Sequence, residues 1–179
     1  MEYLERCIDS KEIYSGRILR VYSDQVQLPN EQHSVREVVR LHEAVGVLAV
    51  TEENEVILVK QFRYPTGEAL YEIPAGKLDI SGESAEVAVL RELAEETPYT
   101  AQKAVLLQEF YSSPGFCDEK MYLFRAFGLK KNSTLSTDAD EFVNAECWSK
   151  DRVENALQNH EIQDAKTIIA LQHWLFEDR

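Results

Sequence analysis

The sequence has few cysteines, and their spacing is not that of a metal site. Cys7, Cys117 and Cys147 are odd in number, far apart and include no Cys-x-x-Cys pair. A disulfide framework needs a denser and even set of cysteines, and a structural zinc site needs clustered ones. We therefore expect reduced thiols and a cytoplasmic protein.

Long apolar runs are also missing. The longest, residues 44–50, has seven residues, whereas a membrane helix needs about 20. The first residues alternate charged and apolar side chains, which is unlike a secretory signal. We predict no membrane segment and no membrane partner.

Positive charge is scarce. The 179 residues include 32 acidic and 19 basic side chains, which gives a net charge of −13 at pH 7. Such a chain has no general attraction for nucleic acid or anionic lipid, so we expect no nucleic-acid partner. The apolar fraction of 44% and the charged fraction of 28% are ordinary for a folded protein.

The pattern of apolar residues predicts mostly strands, with one helix inside the chain and two at its end. Alternating strands are expected within residues 11–41, with a turn at 29–33. An apolar hairpin is predicted from strands 44–50 and 56–62. Further strands are predicted at 70–73, 105–111 and 121–127, and helices at 84–97, 151–160 and 165–177. This order indicates an α+β fold with a mixed β-sheet.

The clearest helix, residues 84–97, has one apolar and one acidic side. At about 100° per residue, the predicted core face consists of Val87, Leu90, Leu93 and Ala94. The opposite face carries Glu92, Glu95 and Glu96, with the small residues Ala85 and Ala88 beside them. Clustered carboxylates suit Mg²⁺, although a solvated acidic surface would show the same pattern.

The segment around this helix resembles the Nudix hydrolases. Their box reads Gly, five residues, Glu, seven residues, Arg-Glu-apolar, one residue, Glu-Glu, one residue, Gly-apolar. The matching residues here are Gly76, Glu83, Arg91, Glu92, Leu93, Glu95, Glu96 and Tyr99. Six residues instead of five follow Gly76, and Pro98 replaces a glycine. Both departures lie outside the Arg-Glu-Leu-x-Glu-Glu core.

Over residues 30–175 the chain is most similar to the ADP-ribose pyrophosphatases of that family, through segments 36–39, 59–64, 72–78, 110–119, 140–143 and 164–167. The resemblance implies a Nudix-type α/β/α sandwich over residues 42–179. It also implies an N-terminal β-strand region, residues 1–41, that forms a homodimer, typically by strand exchange. The expected reaction is Mg²⁺-dependent hydrolysis of ADP-ribose to AMP and ribose 5-phosphate, with Mn²⁺ as a substitute.

The resemblance also assigns roles to residues. The metal ligands are the Ala75 carbonyl, Glu92, Glu95, Glu96 and Glu141. Arg91 is expected to position the carboxylates by pairing with Glu83 or a neighbour. Glu141, or else Glu95, takes a proton from water, and Asp138 and Asp140 remain rivals. The expected substrate contacts are Arg36, Arg63, Ser113, Pro114, Gly115, Phe116 and Glu119.

Two alternatives remain open. The chain could hydrolyse another nucleoside diphosphate sugar, because the motif fixes the pyrophosphate chemistry and not the flanking groups. It could also be a non-catalytic nucleotide-sensing module on the same scaffold. The carboxylates at 92, 95, 96 and 141 argue against the sensor, because binding alone does not need all four. We assign the segment beginning at Asp164 a structural role only, as an N-capped helix.

Overall fold

A computed structural model describes residues 3–132 and 144–177. Over these residues the fold is α+β, as predicted, with twelve strands and three helices. The strands are β1 (Arg6–Ser15), β2 (Leu19–Gln27), β3 (His33–Leu41), β4 (Ala44–Leu48), β5 (Glu55–Arg63), β6 (Glu68–Glu72), β7 (Ala75–Lys77), β8 (Tyr99–Thr100), β9 (Lys103–Tyr111), β10 (Lys120–Phe127), β11 (Lys130–Lys131) and β12 (Asn144–Ser149). The helices are α1 (Ala85–Glu96), α2 (Lys150–Gln158) and α3 (Ala165–Phe176).

The chain divides into two compact units. The N-terminal unit consists of Met1–Glu43 and Tyr111–Lys120, and the main unit consists of Ala44–Phe110 and Met121–Arg179. Within the described residues, no helix is long and apolar enough to cross a membrane.

The N-terminal unit is built on an antiparallel sheet with the order β1-β2-β3. The turn between β2 and β3 is closed by the Leu28 N–H, which donates to the Gln32 carbonyl at 2.8 Å. Segment 112–119 lies along β3, where the Val39 N–H donates to the Phe116 carbonyl at 2.7 Å. The side chains of β1 are exposed along its whole length.

The main unit has a mixed sheet with the order β7-β4-β10-β9, in which β4 runs antiparallel to β7 and parallel to β10. Successive side chains of a strand point to opposite faces. Accordingly, Val45 and Val47 pack in the core cluster that contains Leu93 of α1. Leu48 packs in a second cluster that contains Leu171 of α3. This alternation explains why β4 is buried throughout.

The predicted hairpin of residues 44–50 and 56–62 is wrong. β5 pairs with β6 and β12 in a separate antiparallel sheet, and only an isolated bridge between Val50 and Val56 joins the two segments. β4 is wholly apolar and β5 has a buried apolar run at residues 56–59, and each strand pairs with two neighbours elsewhere in the chain. Tertiary pairing therefore overrides the short turn between them.

Helix α1 begins and ends close to the predicted residues. The Ser84 hydroxyl accepts from the Val87 N–H at 3.3 Å as the N-cap. At the other end the Thr97 hydroxyl donates to the Leu93 carbonyl at 2.6 Å. Helices α2 and α3 also match their predictions, and the Asp164 carboxylate accepts from the Thr167 N–H at 2.9 Å as the predicted N-cap of α3.

The predicted core face of α1 is only partly right: Leu93 is buried and Leu90 packs against the core, as predicted, but Val87 does not. The buried residues are Ala88, Val89, Leu93 and Glu96, whereas Val87 is 55% exposed. Ala88 is fully buried, so it does not line an open space beside the carboxylates. Glu96 can lie on the buried side of the helix because the Ala75 N–H donates to its carboxylate. The buried side of α1 therefore differs from the apolar side that the helical wheel predicts.

Candidate active site

Arg91 lies at the centre of a carboxylate cluster on α1. Its guanidinium donates to both oxygens of Glu83, through Nε at 3.1 Å and Nη2 at 3.0 Å. Its Nη1 donates to Glu92 at 2.8 Å and to Glu95 at 2.7 Å. The predicted pairing of Arg91 with Glu83 is thus present. The fork of a guanidinium suits this role because it offers five N–H donors in one plane.

The cluster is partly shielded from water. The Glu83 side chain is 9% exposed and that of Glu92 is 14% exposed. Hydrogen bonds to Glu83, together with the charge of Glu92 and hydrogen bonds to Glu92 and Glu95, raise the pKa of Arg91 above its usual value. The same hydrogen bonds lower the pKa of Glu83. The positive charge of Arg91 therefore offsets the repulsion expected between carboxylates one turn apart.

Two carboxylates of α1 lie against the backbone of β7. The Ala75 N–H donates to Glu96 Oε2 at 3.0 Å, and Glu96 is only 4% exposed. A Cβ placed on Gly76 would fall 1.9 Å from the Glu92 carboxyl carbon. The glycine of the motif thus lets the carboxylate approach the strand closely.

The donor atoms of this arrangement are of the kind that a hard divalent cation binds. Carboxylate oxygens next to a backbone segment are the ligands that Mg²⁺ and Mn²⁺ prefer. Within residues 3–132 and 144–177, no three His, Cys, Asp or Glu side chains form a metal site by themselves. A cation held by Glu92 and Glu96 would therefore complete its coordination with other oxygens, and Mg²⁺ commonly uses water and phosphate for this.

Arg63, at the end of β5, pairs with a buried carboxylate. Its Nε donates to Glu72 Oε1 and its Nη2 donates to Glu72 Oε2, both at 2.7 Å. Burial alone would raise the pKa of Glu72, but hydrogen bonds from Arg63 and the charge of Lys166 hold it below its usual value. The hydrogen bonds to Glu72 in turn raise the pKa of Arg63.

The other predicted substrate contacts belong to the N-terminal unit. Arg36 of β3 donates through Nε to Glu5 at 2.9 Å and also pairs with its second carboxylate oxygen. Residues 113–119 form the loop that follows β9, in which Pro114, Gly115 and Phe116 are exposed and Ser113 and Glu119 are half-buried. Asp118 fixes this loop, since its carboxylate accepts from the Leu41 N–H and from Arg40, both at 3.0 Å.

The predicted base, Glu141, lies outside the described residues, as do its rivals Asp138 and Asp140. Among the described candidates, the structure brings together Arg91, Glu92 and Glu95, and it places Glu96 against Ala75.

Comparison with known proteins gives the family. The model of the NUDIX domain matches residues 40–171, which is more than half of the chain. The chain belongs to the Nudix family. A second model, the nucleoside diphosphate sugar hydrolase N-terminal domain, matches residues 5–39. Nudix hydrolases generally use a divalent metal ion, in keeping with the carboxylate cluster of α1.

Two relatives cover nearly the whole chain. An ADP-ribose pyrophosphatase of Bacillus subtilis is 43% identical over 170 residues, which is 94% of this chain and 91% of the relative. A methanol dehydrogenase activator of Bacillus methanolicus has the same identity and coverage. A solved structure, described as an ADP compounds hydrolase, matches the Nudix fold with a TM-score of 0.83 at 24% identity and covers 96% of this chain and 94% of that one.

Two polar residues of this Nudix domain escaped the sequence analysis. Glu72 is 2% exposed and bonds to Arg63. Lys166, in the segment assigned a structural role only, donates to Glu72 as well. Neither has a local sequence signal, because Lys166 and Glu72 are 94 residues apart. Both residues do lie in segments that carry the family resemblance, 72–78 and 164–167, but the resemblance did not join them to each other.

Proposed function

We propose that this Nudix protein is a Mg²⁺-dependent ADP-ribose pyrophosphatase. The reaction adds one water across the P–O–P bridge of ADP-ribose and yields AMP and ribose 5-phosphate. The observation that carries the proposal is the approach of Glu92 and Glu96 to residues 75–76, with Arg91 holding the neighbouring carboxylates. The substrate is suggested by the name of the Bacillus subtilis relative, which matches nearly the whole chain.

In this proposal the cation is held by the Ala75 carbonyl, Glu92, Glu95, Glu96 and Glu141, with Mg²⁺ preferred and Mn²⁺ a substitute. When bound, a divalent cation supplies positive charge that offsets the diphosphate and makes water easier to deprotonate. Arg91 keeps Glu92 and Glu95 oriented by donating to both. Carboxylates held in this way need little reorganisation during the reaction.

Glu141 is the proposed general base that accepts the proton of the attacking water. Glu95 is the described alternative, and its side chain is 38% exposed beside Arg91. Because Arg91 already neutralises Glu95, a carboxylate from residues 138–141 is the better acceptor. Asp138 and Asp140 are the remaining rivals in that segment.

The substrate's anionic groups are assigned to arginines. Arg63 pairs with Glu72 through Nε and Nη2 only, so its remaining N–H groups can donate to a diphosphate. Arg36 is the second proposed contact. The loop residues Ser113, Pro114, Gly115, Phe116 and Glu119 are proposed to form a wall against the nucleoside or the terminal ribose.

We also propose that residues 1–41 form a homodimer interface, residues 42–179 form the hydrolase domain, and the protein is cytoplasmic. The N-terminal unit exposes several large apolar side chains, namely Tyr3, Leu4, Ile8, Ile13, Tyr14, Ile18 and Val35. Exposed apolar groups in such number favour a protein partner. The three cysteines are free, which suits a reducing compartment.

A second candidate function is suggested by the methanol dehydrogenase activator, which is as similar to this chain as the pyrophosphatase is. In that case this chain would raise the activity of a methanol dehydrogenase. The addition of purified protein with Mg²⁺ to a methanol dehydrogenase assay would test this candidate, because a Glu96→Gln variant should lose any activation that depends on hydrolysis.

A substrate panel tests the main proposal. Purified protein is incubated with ADP-ribose, ADP-glucose, UDP-glucose and GDP-mannose, in Mg²⁺ and in Mn²⁺, and nucleoside monophosphate release is measured by chromatography. The proposal expects the highest kcat/KM for ADP-ribose. A clear preference for another sugar nucleotide would favour the first alternative. Tight ADP-ribose binding without turnover in either metal would favour the sensing module.

A further inference from the structure

We propose that Glu72 and Lys166 are positioning residues for Arg63, and that Lys166 sets substrate affinity through Glu72. The inference rests on the proposed function in one respect, namely that Arg63 binds the substrate. It assigns a role in substrate binding to the first turn of α3, which the sequence motif does not include.

Glu72 is suited to fix the plane of the Arg63 guanidinium. The carboxylate is almost fully buried, at 2% exposure, so it cannot exchange its partners for water without cost. Its two oxygens receive Nε and Nη2 of Arg63, each at 2.7 Å. Two parallel hydrogen bonds remove rotation about the last bonds of the arginine, which a single bond would leave free.

The opposite edge of the guanidinium remains available for a ligand. Of the five N–H groups of an arginine, the pair with Glu72 uses two. Within the described part of the chain, no hydrogen bond to Nη1 of Arg63 is present. The Arg63 side chain is 40% exposed. An anionic oxygen can therefore reach this edge in an orientation that Glu72 dictates.

Lys166 is a second hydrogen-bond partner of the Glu72 carboxylate. Its ammonium donates to Glu72 Oε2 and to Asp164 Oδ1, the latter at 3.1 Å, and its side chain is 11% exposed. The positive charge of Lys166 compensates part of the negative charge of Glu72. Without Lys166, Arg63 alone would neutralise Glu72 and would offer a weaker field to an anionic ligand.

The lysine is itself held by the helix cap. The Asp164 carboxylate accepts from the Thr167 N–H at 2.9 Å and from its hydroxyl at 2.6 Å. The Thr167 hydroxyl accepts from the Ile73 N–H at 2.8 Å. The start of α3 is thus tied to the strand end that carries Glu72, and these contacts restrict where Lys166 can go.

The test is a double-mutant cycle on kcat and KM for ADP-ribose, with the Kd for ADP-ribose in EDTA measured by calorimetry as a readout without turnover. The variants are Arg63→Ala, Lys166→Met, Lys166→Arg and the double variant Arg63→Ala/Lys166→Met. Lys130→Met, at an exposed lysine of β11, is the matched control. Thermal unfolding of each variant shows whether it is folded at the assay temperature.

We expect Arg63→Ala to raise KM about tenfold or more, as expected for the loss of a charged contact. Lys166→Met should raise KM about three- to tenfold, with kcat within about twofold of wild type. Lys166→Arg should restore most of the affinity. The double variant should bind no worse than Arg63→Ala, because Lys166 acts only through Arg63. If Lys166→Met proves too unstable to assay, Glu72→Gln takes its place, and we expect it to raise KM as well.

The inference is overturned if folded Lys166→Met keeps the wild-type KM and Kd, or if its effect multiplies fully with that of Arg63→Ala. It also fails if Arg63→Ala leaves KM and Kd unchanged, although the wild type would then still be a pyrophosphatase. A wild type that binds ADP-ribose without turnover would refute the proposed activity. The double-mutant cycle calculated from the Kd values would then still test whether Lys166 acts through Arg63. Absence of both binding and turnover would overturn both.

Discussion

The carboxyl group of Glu92 occupies the space in which a side chain at Gly76 would begin. A Cβ on Gly76 would lie 1.9 Å from the Glu92 carboxyl carbon and 2.0 Å from Oε1. The contact joins the first residue of the motif to its central glutamate, which are separated by a loop and two turns of helix. The glycine is thus required by the side chain that faces it.

Gly76→Ala tests this contact. The added methyl group must displace Glu92 or the strand, and overpacking of this kind costs about 1–3 kcal/mol. We expect a lower free energy of unfolding in urea and a kcat reduced about tenfold or more, because Glu92 moves. Gly115→Ala, where a Cβ would meet nothing within 4 Å, is the control for stability. Equal stability and kcat in wild type and Gly76→Ala would contradict the contact.

Arg91→Lys separates the charge of Arg91 from its shape. A lysine keeps the positive charge but cannot bond to Glu83 with two parallel donors while also bonding to Glu92 and Glu95. We expect weaker Mn²⁺ binding by calorimetry and a kcat lower by about tenfold or more. Arg152→Lys, at an arginine paired with Glu161 in the main unit, is the control. If Arg91→Lys bound Mn²⁺ like wild type, the geometry of the fork would be unimportant.

The buried pair of Glu72 predicts a specific pH dependence of stability. Because the folded-state pKa of Glu72 lies below its usual value, the pair stabilises the fold above the unfolded-state pKa of about 4.3. This contribution is lost as the pH falls through the folded-state pKa. Glu72→Gln should therefore cost about 2 kcal/mol at pH 7, and the difference from wild type should shrink toward pH 3.

Urea unfolding at pH 7, 5, 4 and 3 measures this difference. Glu161→Gln, in an exposed ion pair with Arg152, is the control and should change stability little at any of these pH values. A difference between wild type and Glu72→Gln that stays constant from pH 7 to pH 3 would show that the charge of Glu72 does not stabilise the fold.

The choice of general base can be settled by three parallel substitutions. Loss of a general base lowers kcat by about 10²–10⁴-fold, so Glu141→Gln should fall in this range. Asp138→Asn and Asp140→Asn should stay within a few-fold of wild type. All three are measured at saturating ADP-ribose and Mg²⁺. If Asp138→Asn or Asp140→Asn shows the large loss instead, the assignment moves to that residue.

The exposed apolar residues of the N-terminal unit predict a dimer. We expect a mass of about 41 kDa by light scattering, twice the 20.6 kDa of the chain. The double substitution Ile8→Glu/Ile13→Glu should shift the mass toward the monomer, because it places charge among the residues proposed to be buried on association. Val105→Glu, at an exposed position of β9, should leave the dimer intact. A wild type that is monomeric at micromolar concentration would contradict the proposal.

Local patterns predicted the helices well and the pairing of strands poorly. The ends of α1 follow from Ser84 and Pro98, because capping and proline chemistry depend on a few neighbouring residues. The partners of β4 do not follow, since Gly46 pairs with Ala75 on one side and with Leu123 on the other. Pairings across such separations depend on the packing of the whole unit, which a short apolar run does not encode.

The orientation of α1 could not be predicted for a related reason. A helical wheel assumes that apolar residues are buried and charged residues are exposed. Here Glu96 is buried because the Ala75 N–H donates to it, while Val87 is exposed. The motif identified the residues that contact Arg91. That Glu92 and Glu96 approach the backbone of β7 depends on the packing of the helix against that strand. The pair of Arg63 with Glu72 was missed because no spacing rule joins them.

The most direct test of the central claim is the rate of AMP release from ADP-ribose in Mg²⁺ by three proteins side by side. These are the wild type, Glu96→Gln, and Glu86→Gln, which makes the same substitution at an exposed position in the first turn of the same helix. We predict a loss of about 100-fold or more in kcat for Glu96→Gln and a wild-type rate for Glu86→Gln. A wild-type rate in Glu96→Gln would contradict the account.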